Sequence, residues 1–126
     1  MELRAKALTV CEVGDDGETI SLGFEDAAGN AAALSLSVSQ AGALVMTLPG
    51  LLELALRTRY GDQALRYAYP LASWTIEQST DSTKRIITLA TPDGFSVRFA
   101  IPDDQQNVLG EALLMRYPSA PAIRPN

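Results

Sequence analysis

The chain has 126 residues, 47% hydrophobic and 20% charged, which is one domain's worth of an ordinary globular composition and excludes intrinsic disorder. It has no histidine and a single cysteine, Cys11, so Ser-His and Cys-His nucleophile pairs, Cys/His zinc sites and an intramolecular disulfide are all excluded. A net charge of −5 opposes nucleic acid, whose affinity rests on phosphate neutralisation; only residues 57–98 are mildly basic, at +2.

Nothing at the N-terminus has the pattern of a signal peptide, and a reducing cytoplasm is the expected location. Residues 3–13 alternate, with Leu3, Ala5, Ala7, Thr9, Cys11 and Val13 on one side, and predict a half-buried strand. Gly14-Asp15-Asp16-Gly17 supplies a turn, after which Ile20, Leu22 and Phe24 alternate again. A second turn at Asp26-Ala27-Ala28-Gly29-Asn30 leads into Leu34, Leu36 and Val38. Three antiparallel strands are therefore expected before the first helix.

That helix is expected to start at an N-cap of Ser39 and to kink, or divide into two, at Pro49-Gly50. Leu44, Leu48, Leu51, Leu52 and Ala55 form its main stripe, while Val45, Met46, Leu54 and Leu56 lie off it. A helix apolar over more than half its circumference needs cover on a second side, so these four residues are the candidate self-association surface. From Ala41 to Leu56 the chain carries one charge, Glu53. The stretch is shorter than the roughly 20 residues that cross a bilayer, so a buried helix is expected and no membrane contact. Glu53 is expected to face water or to pair with Arg57 one turn on.

The second half opens with alternation at Leu65, Tyr67 and Tyr69, then resumes in the opposite parity at Trp74 and Ile76 after Pro70, as in a bent edge strand or two short ones. Lys84–Thr91 and Phe95–Ile101 are the next strands, joined by Thr91-Pro92-Asp93-Gly94. A final helix is expected from an N-cap of Asp103, with Gln106 closing a capping box and Val108, Leu109, Ala112 and Leu113 apolar. Residues 118–126 hold three prolines and read as an extended tail.

The halves repeat. Ile20, Leu22, Asp26, Gly29, Leu36, Gln40, Leu44 and Leu48 are echoed by Ile87, Leu89, Asp93, Gly94, Ile101, Gln105, Leu109 and Leu113, with a two-residue gap in the turn. The expected fold is α+β: one domain over residues 1–117 made of pseudo-duplicated antiparallel sheet-plus-helix units, β-β-β-α then β-(β)-β-β-α.

No cofactor, metal or catalytic motif is present, and the chain reads as a non-enzyme. The acidic hairpin Asp15, Asp16 and Glu18 matches no calcium-loop spacing and is ordinary turn chemistry. Cys11 is expected to be an inert packing residue on the inward side of its strand. The most suggestive surface combines Arg57, Arg59, Tyr60, Arg66, Tyr67, Tyr69, Trp74, Lys84, Arg85 and Arg98. Arginines interleaved with aromatics suit protein interfaces and also single-strand nucleic-acid platforms. By topology alone the tandem units resemble PUR-repeat and Whirly-type proteins, which implies sheet-face nucleic-acid binding; the acidic whole favours protein. The expected partner is a second copy, in a dimer or higher homo-oligomer. An apolar ligand pocket between sheet and helix, with Tyr67, Tyr69 or Arg98 fixing the ligand, is the alternative.

Overall fold

Alternating patterns become strands and the two apolar-periodic stretches become helices in the computed structural model, which describes residues 2–116. The expected tail, 118–126, lies outside the described residues. The architecture is α+β: two antiparallel three-stranded sheets, each followed by a helix. They form two compact units, divided between Gly61 and Asp62.

The first unit comprises β1 (Ala5–Val13), β2 (Thr19–Asp26), β3 (Ala31–Ser37) and α1 (Val38–Tyr60), in sheet order β1-β2-β3. Ile20 opposite Leu36, Leu22 opposite Leu34 and Phe24 opposite Ala32 place one apolar face on β2 and β3. On β1 the expected parity fails. Its register against β2 slips between Ala5 and Ala7 and again between Leu8 and Val10. An extra residue in one strand flips the side-chain alternation. Leu8 therefore joins Cys11 and Val13 on the apolar face, opposite Phe24, Leu22 and Ile20, while Ala7 and Val10 fall on the other. Gly23 makes the second slip possible: a Cβ there would meet Thr9 Oγ1 at 3.0 Å and Val10 Cβ at 3.2 Å. Cys11 is exposed rather than packed away: it lies on the edge strand β1, while α1 packs against β2 and β3.

The N-cap of helix α1 lies two residues before the expected one. Ser37 is the N-cap: its Oγ accepts from Gln40 N at 3.1 Å, while Gln40 Oε1 accepts from Ser37 N at 3.0 Å. Ser39 lies inside the first turn, since Val38 already donates its backbone N–H to Glu18 O, tying the helix start to the end of the first turn. Nor does Pro49 divide the helix, which runs unbroken to Gly61, a left-handed cap whose N–H returns to Arg57 O. The expectation of a buried helix is also overturned: α1 carries no buried residue.

The second unit comprises β4 (Ser73–Gln78), β5 (Lys84–Ala90), β6 (Ser96–Pro102) and α2 (Asp103–Leu114), in order β4-β5-β6. The optional strand over Leu65–Tyr69 does not form; residues 62–72 are irregular apart from an isolated bridge at Ala68. Tyr69 instead packs against Tyr67 and Phe95, at centroid distances of 5.0 and 5.1 Å, which uses the aromatic rings away from any ladder. Leu65 is the one buried hydrophobic residue among those described. Helix α2 is capped by Pro102, which has no side-chain oxygen; Asp103 occupies the first turn, where Gln106 Nε2 donates to its Oδ1 at 3.0 Å.

The two units match at a constant spacing of 65 residues. Thr19 pairs with Ser37 and Lys84 with Pro102; Ile20 pairs with Leu36 and Arg85 with Ile101. The two-residue gap read from the sequence therefore disappears, and Ile20 corresponds to Arg85, Leu22 to Ile87 and Phe24 to Leu89. Backbone hydrogen bonds repeat at the same spacing: Glu18 N to Asp16 Oδ1 and Thr83 N to Asp81 Oδ1; Val38 N to Glu18 O and Asp103 N to Thr83 O; Asp26 N to Asn30 O and Thr91 N to Phe95 O. Both of the latter turns place a glycine, Gly29 and Gly94, at φ of 85° and 95°, where a Cβ would be strained.

Candidate functional site

Cross-strand register decides what the second sheet presents. Trp74, Leu89 and Val97 stand in one row, Ile76, Ile87 and Phe99 in the next, and Gln78, Arg85 and Ile101 in the third. Side chains alternate between faces along each strand, so these rows make one apolar face. The opposite face carries Thr75, Thr88 and Arg98 in a single row. On the apolar side α2 contributes Leu109 and Leu113, and an open groove of about 690 Å³ lies between helix and sheet, with Leu71 at its margin. Gln105 is the polar side chain lining it. Trp74 is 60% exposed, Phe99 54% and Leu113 77%. Side chains of this size are rarely left so open in a contiguous patch unless something covers them.

The first unit repeats this face with its own residues. Cys11, Leu22 and Leu34 stand where the second has Ile76, Ile87 and Phe99, and Leu44 and Leu48 correspond to Leu109 and Leu113. Of the candidate self-association residues on α1, Val45, Met46 and Leu54 are exposed, Met46 at 86%, while Leu56 is half-buried.

The basic and aromatic set is distributed rather than gathered on one platform. Trp74 belongs to the apolar face and Arg98 to the opposite one. Arg85 lies at the end of the groove with Gln106 and Asn107, and Lys84 stands 3.9 Å from Asp81. Tyr67 and Tyr69 line a separate hollow with Pro70 and Thr91–Asp93. Arg66 is exposed on the irregular segment. Arg57, Arg59 and Tyr60 close α1: Arg57 reaches Glu53 at 4.0 Å, as the helical spacing leads one to expect, and the Arg59 guanidinium stands over the Tyr60 ring at 5.5 Å. Neither Tyr67, Tyr69 nor Arg98 lines the groove.

Carboxylates mainly build turns. Backbone and side-chain N–H donors of Asn30, with Ala28 N, hold the Asp26 carboxyl below its ordinary pKa. The Thr83 hydroxyl and N–H do the same for Asp81, with Lys84 adding charge. The Thr91 hydroxyl, donating to Asp93, lowers Asp93. Among the described residues no three His, Cys, Asp or Glu side chains cluster as a metal site.

The lining of the groove was not legible as such. Each lining residue has the right type in the sequence, but only the register brings strands 74–76, 87–89 and 99–101 into shared rows. No protein-family model, curated protein or solved structure matches the chain.

Proposed function

We propose that the protein is a non-enzymatic, self-associating interaction module of the cytoplasm, in which apolar sheet and helix faces are completed by contact with a second copy. The observation that supports this is the apolar face of the second unit, exposed along Leu71, Trp74, Ile76, Phe99, Leu109 and Leu113. Removing the exposed part of one such side chain from water contributes about 1 kcal/mol. Six per copy, counted twice across a two-fold axis, give on the order of 10 kcal/mol before association costs. In the first unit, the apolar residues off the main stripe of α1, Val45, Met46, Leu54 and Leu56, are the candidates for such contact.

By length and composition α1 would also suffice to cross a bilayer. Pro49 and Glu53 near its middle favour the protein-contact assignment. Recovery of the protein with membranes, solubilised only by detergent, would reverse it.

Native mass spectrometry over a range of concentrations tests the reading. A dimer or tetramer without added mass is expected. A second reading is favoured by the groove itself: about 690 Å³ lies in the range of small-molecule sites. In that case the groove holds an apolar ligand, and the spectrum shows a monomer carrying a few hundred extra daltons.

A further inference from the structure

Among the described residues each sheet leaves two edges open, β1 and β3 in the first unit and β4 and β6 in the second. Unpaired edges offer a row of backbone donors and acceptors to any other strand, and proteins blunt them with bulges, charges and prolines. Strand β1 has two register slips together with Lys6 and Glu12. Strand β6 has Arg98 and ends on Pro102. Strand β3, Ala-Ala-Ala-Leu-Ser-Leu-Ser, lacks such guards, but alanine and serine pair weakly across strands. Strand β4 stands apart. It carries one charge, Glu77, but pairs with β5 from Ser73 to Gln78 without a slip, every one of its residues is exposed, and Trp74, Thr75 and Ile76 are strong strand formers. The equivalent strand in the other unit is bulged and this one is straight.

We propose that β4 is a seam between two copies, pairing antiparallel with the β4 of a second copy about a two-fold axis through Thr75. The proposal rests on the self-association reading and adds a strand-edge contact to it, one that sets the two apolar faces side by side without covering them. Antiparallel strands related by a two-fold keep like faces together only if the axis passes through a residue, because paired residues must share parity. With the axis at Thr75, Trp74 stands opposite the partner's Ile76, an aromatic beside a β-branched side chain, which is a favourable cross-strand pair. Glu77 stands opposite the partner's Ser73, so the two carboxylates do not face each other. Pairing then covers Ala72 to Gln78 and stops short of Pro70, whose missing N–H would interrupt it. Moving the axis to Trp74 draws Pro70 into the ladder, opposite Gln78; moving it to Ile76 sets Trp74 against Gln78. The two apolar faces then lie side by side in a six-stranded sheet in which the two-fold uses both β4 edges and β6 stays outermost.

The test combines cross-linking with the native mass spectrum. In a Cys11→Ser background, Thr75→Cys should form a disulfide-linked dimer on mild oxidation, whereas Ala33→Cys on the β3 edge should not. Trp74 is the chain's one tryptophan, so its emission should shift to shorter wavelength as dilute protein is concentrated into dimer. A dimer that cross-links at Ala33, or not at Thr75, or that forms with unchanged emission, overturns the seam and leaves self-association standing. A monomer at every concentration overturns both.

Discussion

The two units share a 65-residue spacing, the same turns and the same strand order, yet they differ at the places where a sheet meets its surroundings. In the first, β1 is bulged at Thr9, and Gly23 opposite leaves room for it; in the second, β4 is straight and Thr88 occupies the position of Gly23. The first helix runs from a reciprocal Ser37–Gln40 cap over 23 residues, while the second runs over 12 from a proline with no capping oxygen. The lesson is that backbone hydrogen bonds carry the common architecture and a few side chains adapt each copy. One edge is guarded, the other is left free to pair, and the longer apolar helix belongs to the unit with the guarded edge.

The largest effect on that comparison is expected at Gly23. Gly23→Ala would press a methyl against Thr9 Oγ1 and Val10 Cβ, and overpacking of this kind typically costs about 1 to 3 kcal/mol. Urea unfolding at fixed protein concentration should show the loss. Unchanged stability would mean that the bulge yields freely and does not define the edge. At the equivalent position the opposite sign is expected. Thr88 Oγ1 is buried without a hydrogen-bond partner, so Thr88→Val should stabilise by about 1 kcal/mol in the same assay. A loss instead would show that the hydroxyl is satisfied by water.

Ser37→Ala should cost about 1 kcal/mol, because it strands Gln40 N and frees the glutamine that answers it. Acid then separates the turn chemistry of the units. Asp26, Asp81 and Asp93 have pKa values lowered below the 3.8 of an unfolded chain by the donors around them. Depressed carboxylates contribute stability that is fully present above the unfolded pKa and lost as pH falls through the folded one. Stability from these groups should hold from pH 7 to about pH 4 and decline below it, and Asp26→Asn and Asp93→Asn should each flatten the decline. A pH series of urea melts would show whether Asp26, which caps its turn directly, matters more than Asp93, which acts through Thr91.

Much of this fold was legible in alternation and turn residues. Five-residue turns with glycine at the left-handed position, and apolar runs at the two helices, determine element type locally. What escaped depends on partners distant in sequence. The flip at Leu8 follows from Gly23 fifteen residues on, and the N-cap falls at Ser37 because Val38 N reaches back to Glu18 O. Alternation at Leu65, Tyr67 and Tyr69 resembles a strand, but the Tyr67 ring packs on Tyr69 and Tyr69 on Phe95, and the segment forms no more than an isolated bridge at Ala68. The candidate surface suffered the same way: Trp74 and Arg98, grouped by residue type, lie on opposite faces of the sheet, which only register reveals.

The smallest expected effect tests the correspondence of the units most directly. Pro102 has φ and ψ of −62° and 149°, close to the −67° and 161° of Ser37, and Gln105 lies three residues on, where Gln40 stands in the other unit. The second helix therefore has the backbone and the glutamine of a capping box and lacks only the hydroxyl and N–H. Pro102→Ser restores both, a gain of about 1 kcal/mol, against which the freer unfolded chain costs roughly 0.4 to 1 kcal/mol. The net is a few tenths at most. Protection of Gln105 N–H from hydrogen exchange reads the cap itself. Protection that rises while global stability barely moves would establish that Pro102 replaced a working cap. Protection that stays flat would mean that Gln105, which lines the groove, is held there and is not free to close the box.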